Sequence, residues 1–87
     1  MIVRKRGDWL AAKVDNEILM MSVEQGLYVG LSDVGARVWE LIDAPCDTEA
    51  LCAELEREFD VSPGICREEV AAFLDQLARY RVIDLEP

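Results

Sequence analysis

Three thiols, Cys46, Cys52 and Cys66, and a surplus of carboxylates are the reactive groups this sequence offers. The cysteines form no CxxC pair, and there is no histidine. A structural zinc site takes four thiolate or imidazole ligands, and three thiols fall short of that set. The thiols read instead as reduced cysteines packed in or near helices, as in a reducing compartment. Without histidine there is no His-based triad and no ordinary acid–base group that titrates near neutrality. The five glycines are scattered and make no phosphate-cradling loop. Most acids sit at the spacing of exposed helix faces, and Glu54 and Glu58 are like charges one turn apart. The expectation is a non-enzyme with no catalytic residue, no metal and no cofactor.

The charge restricts the partners. Eighteen acids against nine bases give a net charge of −9. Affinity for nucleic acid comes mostly from cations that neutralise phosphates, and this chain has few. The basic run Arg4-Lys5-Arg6 lies near an N-terminus expected to be loose. Nucleic acid and an anionic membrane surface are both disfavoured, and a partner carrying basic residues fits better. No run of about 18 apolar residues is present to span a membrane. The start, "MIVRKRGDW", has no apolar signal-peptide core behind its bases. The cytoplasm is the expected location, and 87 residues lead us to expect one domain over residues 1–87.

The remaining chemistry is that of the backbone. Residues 27–31, "LYVGL", read as a short strand that runs almost directly into a helix. Side chains alternate along a strand, so Leu27, Val29 and Leu31 share one face and Tyr28 and Gly30 the other. One reading makes Tyr28 a half-buried sheet aromatic, with Gly30 relieving crowding near Trp39. The other makes this strand an open edge whose N–H and C=O groups accept an extended peptide as a further strand. Gly30 then lets another backbone or a bulky side chain come close.

Two strands precede it, over 9–14 and 17–23, with a turn at Asp15-Asn16. The second is apolar on both faces, so cover is expected on both. The loop "EQG" at 24–26 places a glycine where a left-handed conformation is needed. Ser32 and Asp33 then suit the start of a helix. Val34, Val38, Leu41 and Ile42 form its apolar stripe, Trp39 flanks it, and Ala44-Pro45 ends it. Asp47 or Thr48 caps a second helix over about 48–59. Its inner face carries Leu51, Cys52, Leu55 and Phe59, and its outer face Glu49, Glu54, Glu56 and Glu58. Ser62-Pro63 opens a third helix that runs to about Tyr80, with Val70, Phe73, Leu74 and Leu77 as its stripe. The tail "VIDLEP" is expected to extend along the surface. Three strands followed by three helices make an α+β domain with a small antiparallel sheet leaning on a helical bundle.

The segments "LSDVGARVWELID", "DTEALCAELEREFDV" and "EEVAAFLDQLARYRVIDL" resemble the PqqD-like family over roughly residues 17–85. The matching positions are Leu31, Ser32, Gly35, Val38, Trp39, Leu41, Ile42, Asp43, Thr48, Glu69, Val70, Phe73, Leu74 and Leu77. Two positions depart from the pattern. Ala44 and Arg81 stand at helix ends where relatives often have glycine, and a left-handed conformation there would be strained.

The resemblance implies a recognition element for ribosomally made, post-translationally modified peptides, with a winged helix-turn-helix-like fold. Such domains bind the leader segment of a precursor peptide as an added strand beside the third helix. Carried onto this sequence, the peptide-binding residues are Leu27, Tyr28, Val29, Gly30 and Leu31 on the strand. Glu69, Val70, Phe73 and Gln76 join them from the helix. Stand-alone members serve lasso-peptide pathways, presenting the leader to a cysteine protease and helping a macrolactam-forming cyclase. In pyrroloquinoline quinone biosynthesis the relative works with a radical SAM enzyme. The short "LYVGL" form leans toward the lasso role. Two rival readings are a winged-helix DNA-binding regulator and an oligomerisation domain whose edge pairs with its own copy as a homodimer.

Overall fold

The computed structural model describes residues 1–7 and 9–87. Its elements, in chain order, are β1 (Ile2–Lys5), β2 (Leu10–Val14), β3 (Glu17–Ser22), β4 (Leu27–Ser32), α1 (Val34–Leu41), β5 (Cys46–Asp47), α2 (Thr48–Glu58), α3 (Pro63–Arg79) and β6 (Ile83–Glu86). The α+β class and the antiparallel sheet of the three expected strands are both present, in the order β2-β3-β4.

A second antiparallel sheet, β5-β1-β6, corrects the expectation of a loose N-terminus and a surface tail. Ile2 lies opposite Glu86 and Lys5 opposite Ile83. Val3, Val82 and Ile83 are almost wholly buried. Arg4 pairs with Glu86 and Arg6 with Asp84 across the two strands. Arg4 and Arg6 are thus the outward side chains of this segment, while Val3 enters the core and Lys5 turns to the inner face over Trp39.

The core gathers Ile18, Met20 and Leu31 from the first sheet. Ala36, Val38 and Trp39 come from α1, and Leu51, Cys52 and Leu55 from α2. Cys66, Val70, Leu74 and Leu77 of α3 complete it with the β1–β6 residues. Lys5 Nζ stands 4.1 Å from the centre of the Trp39 ring, closing the second sheet over α1.

Local chemistry explains most boundaries. Gly26 turns the β3–β4 loop at φ 66°, and its N–H donates to Ser22 O. The expected Ser32 cap of α1 is replaced: Ser32 ends β4, and Asp33 takes the cap position at φ 51° with no side-chain bond. Asp47 does cap α2, its carboxylate accepting from Glu49 N–H at 2.8 Å. Pro63 opens α3.

α3 ends in a Schellman pattern, with Val82 N–H donating to Leu77 O and Arg81 N–H to Ala78 O. Arg81 stands there at φ 60°, a strained conformation for a residue with a side chain. Ala44 is not left-handed, so only one of the two departures from the family pattern carries strain.

Candidate peptide-binding edge

β4 has one strand neighbour among the described residues, β3, and its other side is open. The register shows which of its groups face outward. Asp33 N–H donates to Asn16 O, one step beyond the Glu17–Ser32 pair. In an antiparallel ladder a direct bond between opposed residues marks a hydrogen-bonded pair, and such pairs recur at every second residue. The pairs 18–31, 20–29 and 22–27 therefore bond to β3. The N–H and C=O groups of Tyr28, Gly30 and Ser32 point out of the sheet edge.

The same alternation sorts the side chains. Leu27, Val29 and Leu31 turn toward the core, while Tyr28, Gly30 and Ser32 lie exposed on the other face. Tyr28 is 69% exposed, so it is not the half-buried aromatic of the first reading. A Cβ added at Gly30 would meet nothing within 4 Å, so Gly30 relieves no crowding at Trp39. The second strand is covered on one face only: Ile18, Met20 and Ser22 are buried, but Leu19 is 54% exposed.

α3 is set alongside β4 by a tie at each end. Beyond the C-terminal end of β4, a Cβ on Gly35 would lie 3.2 Å from Phe73 Cζ and 4.0 Å from Leu31 Cβ. Before its N-terminal end, Gln25 Nε2 donates to Tyr80 O at 3.1 Å. Glu69, Phe73 and Gln76 follow one another at i, i+4 and i+7 and so share a face of α3. Phe73 is half-buried, and Glu69 and Gln76 are exposed. Val70 is buried and forms the floor of the cleft rather than its rim.

That cleft has a volume of about 200 Å³ and joins Val34, Gly35 and Val38 of α1 to Phe59, Val61 and Phe73. Glu69 is the one charged residue lining it. Among the described residues Glu69 has no ion-pair partner. Ser32 on the edge and Val34, Gly35, Phe59 and Val61 in the cleft were not among the residues that the sequence reading assigned to peptide binding. The signal for Gly35 was its place one turn before Trp39, where a helix interior would otherwise favour alanine.

The other free edge, β2, is guarded. Lys13 lies on the inward face beside Ile18, and its ammonium bonds Glu40 at 2.8 Å. An inward-pointing charge deters strand addition, and β4 carries no charged residue. Glu40 and Glu58 are both held below the usual carboxylate range, Glu40 by its bond to Lys13 and Glu58 by its bond to Arg37. The like-charged pair Glu54 and Glu58 is relieved by separate cations, Arg57 and Arg37. Burial raises the Cys52 thiol above its ordinary value, and burial, then Asp47, does the same for Cys46, so neither is an activated nucleophile. No cluster of metal-ligating side chains occurs among the described residues. No helix among them is long and apolar enough to cross a membrane.

An open, uncharged strand edge beside an apolar cleft defines an α+β protein of the edge-presenting kind. The chain belongs to the Coenzyme PQQ synthesis protein D (PqqD) family, whose model matches residues 17–83. It is also similar to TbiB1, solved in complex with the TbiA(beta) leader peptide, with a TM-score of 0.86 at 25% identity. That match covers 95% of this chain and 98% of TbiB1. No curated protein sequence matches the chain.

Proposed function

We propose that this protein binds the leader segment of a ribosomally made precursor peptide by strand addition to β4, without catalysing a reaction itself. The observation that carries this reading is the outward set of backbone groups on Tyr28, Gly30 and Ser32 beside α3. Family membership and the likeness to TbiB1, solved with a leader peptide, support it. Leader side chains turned inward meet Phe73 and the Val70-floored cleft, and Gln76 and Glu69 border them. The unpaired carboxylate of Glu69 favours a basic leader residue near the cleft mouth. Each added backbone bond contributes about 0.5–1.5 kcal/mol net. Several of them with one buried apolar anchor reach about −8 kcal/mol, or micromolar affinity, after the ordering cost of the peptide.

The protein then holds the leader, in the cytoplasm, for maturation enzymes. In the lasso-peptide role these are a cysteine protease and a macrolactam-forming cyclase; in the alternative role, a radical SAM enzyme. A nucleic-acid role is disfavoured by the bases themselves. Arg4, Lys5, Arg6, Lys13, Arg37, Arg57 and Arg79 each sit in an ion pair.

The test is a titration of a fluorescein-labelled precursor leader peptide, read by anisotropy. Gly30→Pro removes an edge-facing N–H where proline is tolerated. A drop of more than tenfold in affinity with an unchanged circular dichroism spectrum is expected. Unchanged affinity in the folded variant would refute the placement.

A further inference from the structure

Two core thiols that leader recognition does not use lie together where α2 packs on α3. Cys52 and Cys66 are both buried and both free. Cys66 Sγ donates to the Cys52 carbonyl at 3.9 Å, so the two residues touch across the helix pair. Burial, then the neighbouring Cys66 thiol, raises the Cys52 thiol above its ordinary value. Cys46 stands apart on β5, where its thiol donates to Asp47 O.

Each sulfur-bearing residue borders a space that a small solute can enter. Cys66 lines the leader cleft, one turn before Glu69 and Val70 and two turns before Phe73. Cys52 lines a second groove, of about 810 Å³, between Ala53 and Glu56 of α2 and Arg67 and Ala71 of α3. A water takes up roughly 30 Å³ of liquid, so a peroxide fits either space.

We propose that Cys52 and Cys66 are a redox modification site: a peroxide joins them in a disulfide that ties α2 to α3 and keeps the leader cleft from opening. The Cys66 thiolate, on the cleft wall, attacks one peroxide oxygen. The O–O bond breaks, a sulfenic acid forms, and the departing hydroxide takes the thiol proton as water. The Cys52 thiol then attacks that sulfur. The S–S bond forms, the S–O bond breaks, and the second water leaves with the Cys52 proton. Two thiols lose two electrons and two protons, and the peroxide is reduced to two waters. Cys52, the weaker nucleophile, serves in the second step, where its target is already adjacent.

The two walls of the cleft belong to different helices. Leu55 and Phe59 stand on α2, and Glu69, Val70 and Phe73 on α3. At about 200 Å³ the cleft has room for one side chain, and it widens further only if the helices part. A disulfide holds its two Cα atoms about 4.4–6.8 Å apart and so fixes the helix spacing two turns before Phe73. The reduced protein takes the leader, and the bridged one holds it more weakly. By reciprocity, a seated leader shields the pair. This effect rests on the cleft belonging to the leader site.

Hydrogen peroxide on a Cys46→Ala protein tests the site, read by peptide mapping in a mass spectrometer. The same mapping on the wild-type chain needs no substitution. The product should lack two hydrogens, link the peptides that carry Cys52 and Cys66, and unfold at a higher urea midpoint. It should bind a fluorescein-labelled precursor leader at least fivefold more weakly, and dithiothreitol should restore the affinity. Saturating leader should slow bridging at least fivefold. Cys52→Ala should bind leader within twofold of its parent and lose the change that dithiothreitol reverses. A folded protein in which peroxide links no Cys52 to Cys66 would overturn the site. A bridge that leaves leader affinity unchanged would overturn its hold on the cleft. Reduced protein that binds no leader sinks the leader reading, and the mapping still decides whether the thiols pair.

Discussion

Gly35 and Phe73 meet at the corner where β4 hands over to α1. A Cβ on Gly35 would stand 3.2 Å from the Phe73 ring, closer than such atoms normally pack. The glycine thus lets α3 bring its aromatic against the end of the open strand. Gly35→Leu should cost about 1–3 kcal/mol through overpacking. Leader affinity should fall with it, because the displaced ring closes the cleft. Adding Phe73→Ala should recover part of the stability but not the affinity. Urea melts and leader anisotropy on the same samples separate the two effects.

Arg81 offers a stabilising substitution. Its left-handed backbone costs about 1–2 kcal/mol for a residue with a Cβ. Glycine removes that strain but adds about 0.5–1 kcal/mol of unfolded-state entropy. Arg81→Gly should therefore gain about 0.5–1 kcal/mol, a rise of several degrees in Tm for a domain of this size. Scanning calorimetry reads the shift directly. The Trp9 indole bonds the Arg81 carbonyl, a contact that the substitution keeps.

The terminal strands belong to the core. Ile83 is 1% exposed and lies opposite Lys5 of β1. Ile83→Ala should cost about 2–5 kcal/mol by leaving a cavity. Chemical denaturation should show the loss as a lower midpoint with an unchanged slope. A midpoint equal to wild type would mean the tail lies free.

Acid should weaken the α1–α2 contact. Arg37 grips Glu58 through Nε at 2.7 Å and Nη2 at 3.0 Å, and this bond holds the Glu58 carboxyl below its ordinary value. A depressed folded-state value stabilises the fold above the ordinary carboxylate range. That contribution fades as pH falls through the range and below it. The urea midpoint should therefore drop on acidification, and less steeply in Glu58→Gln. The pair is solvent-screened, so the difference should be small and should shrink further in high salt.

Lys13 keeps the β2 edge solitary. Lys13→Val removes the inward charge and leaves both edges of the sheet open to pairing. Sedimentation velocity at rising concentration should then show stronger self-association than in the wild type.

Local chemistry was legible in the chain. The turn at Gly26, the Asp47 cap, the Pro63 start of α3 and the stripes of all three helices each depend on neighbours within a turn or two. The alternation in "LYVGL" likewise assigned Tyr28 and Gly30 to one face before any fold was known. The family resemblance placed this strand beside the third helix.

Tertiary structure decided what depends on distant partners. Val3 of β1 and Ile83 of β6 lie 80 residues apart in a chain whose ends look charged, and only the pairing of their two strands puts both in the core. Which backbone groups of β4 face outward follows from its register with β3, fixed by pairs such as Asn16 and Asp33. A one-residue slip would exchange them. The bareness of the outer sheet face was hidden for the same reason. An apolar residue reads the same in sequence whether a neighbour covers it or not.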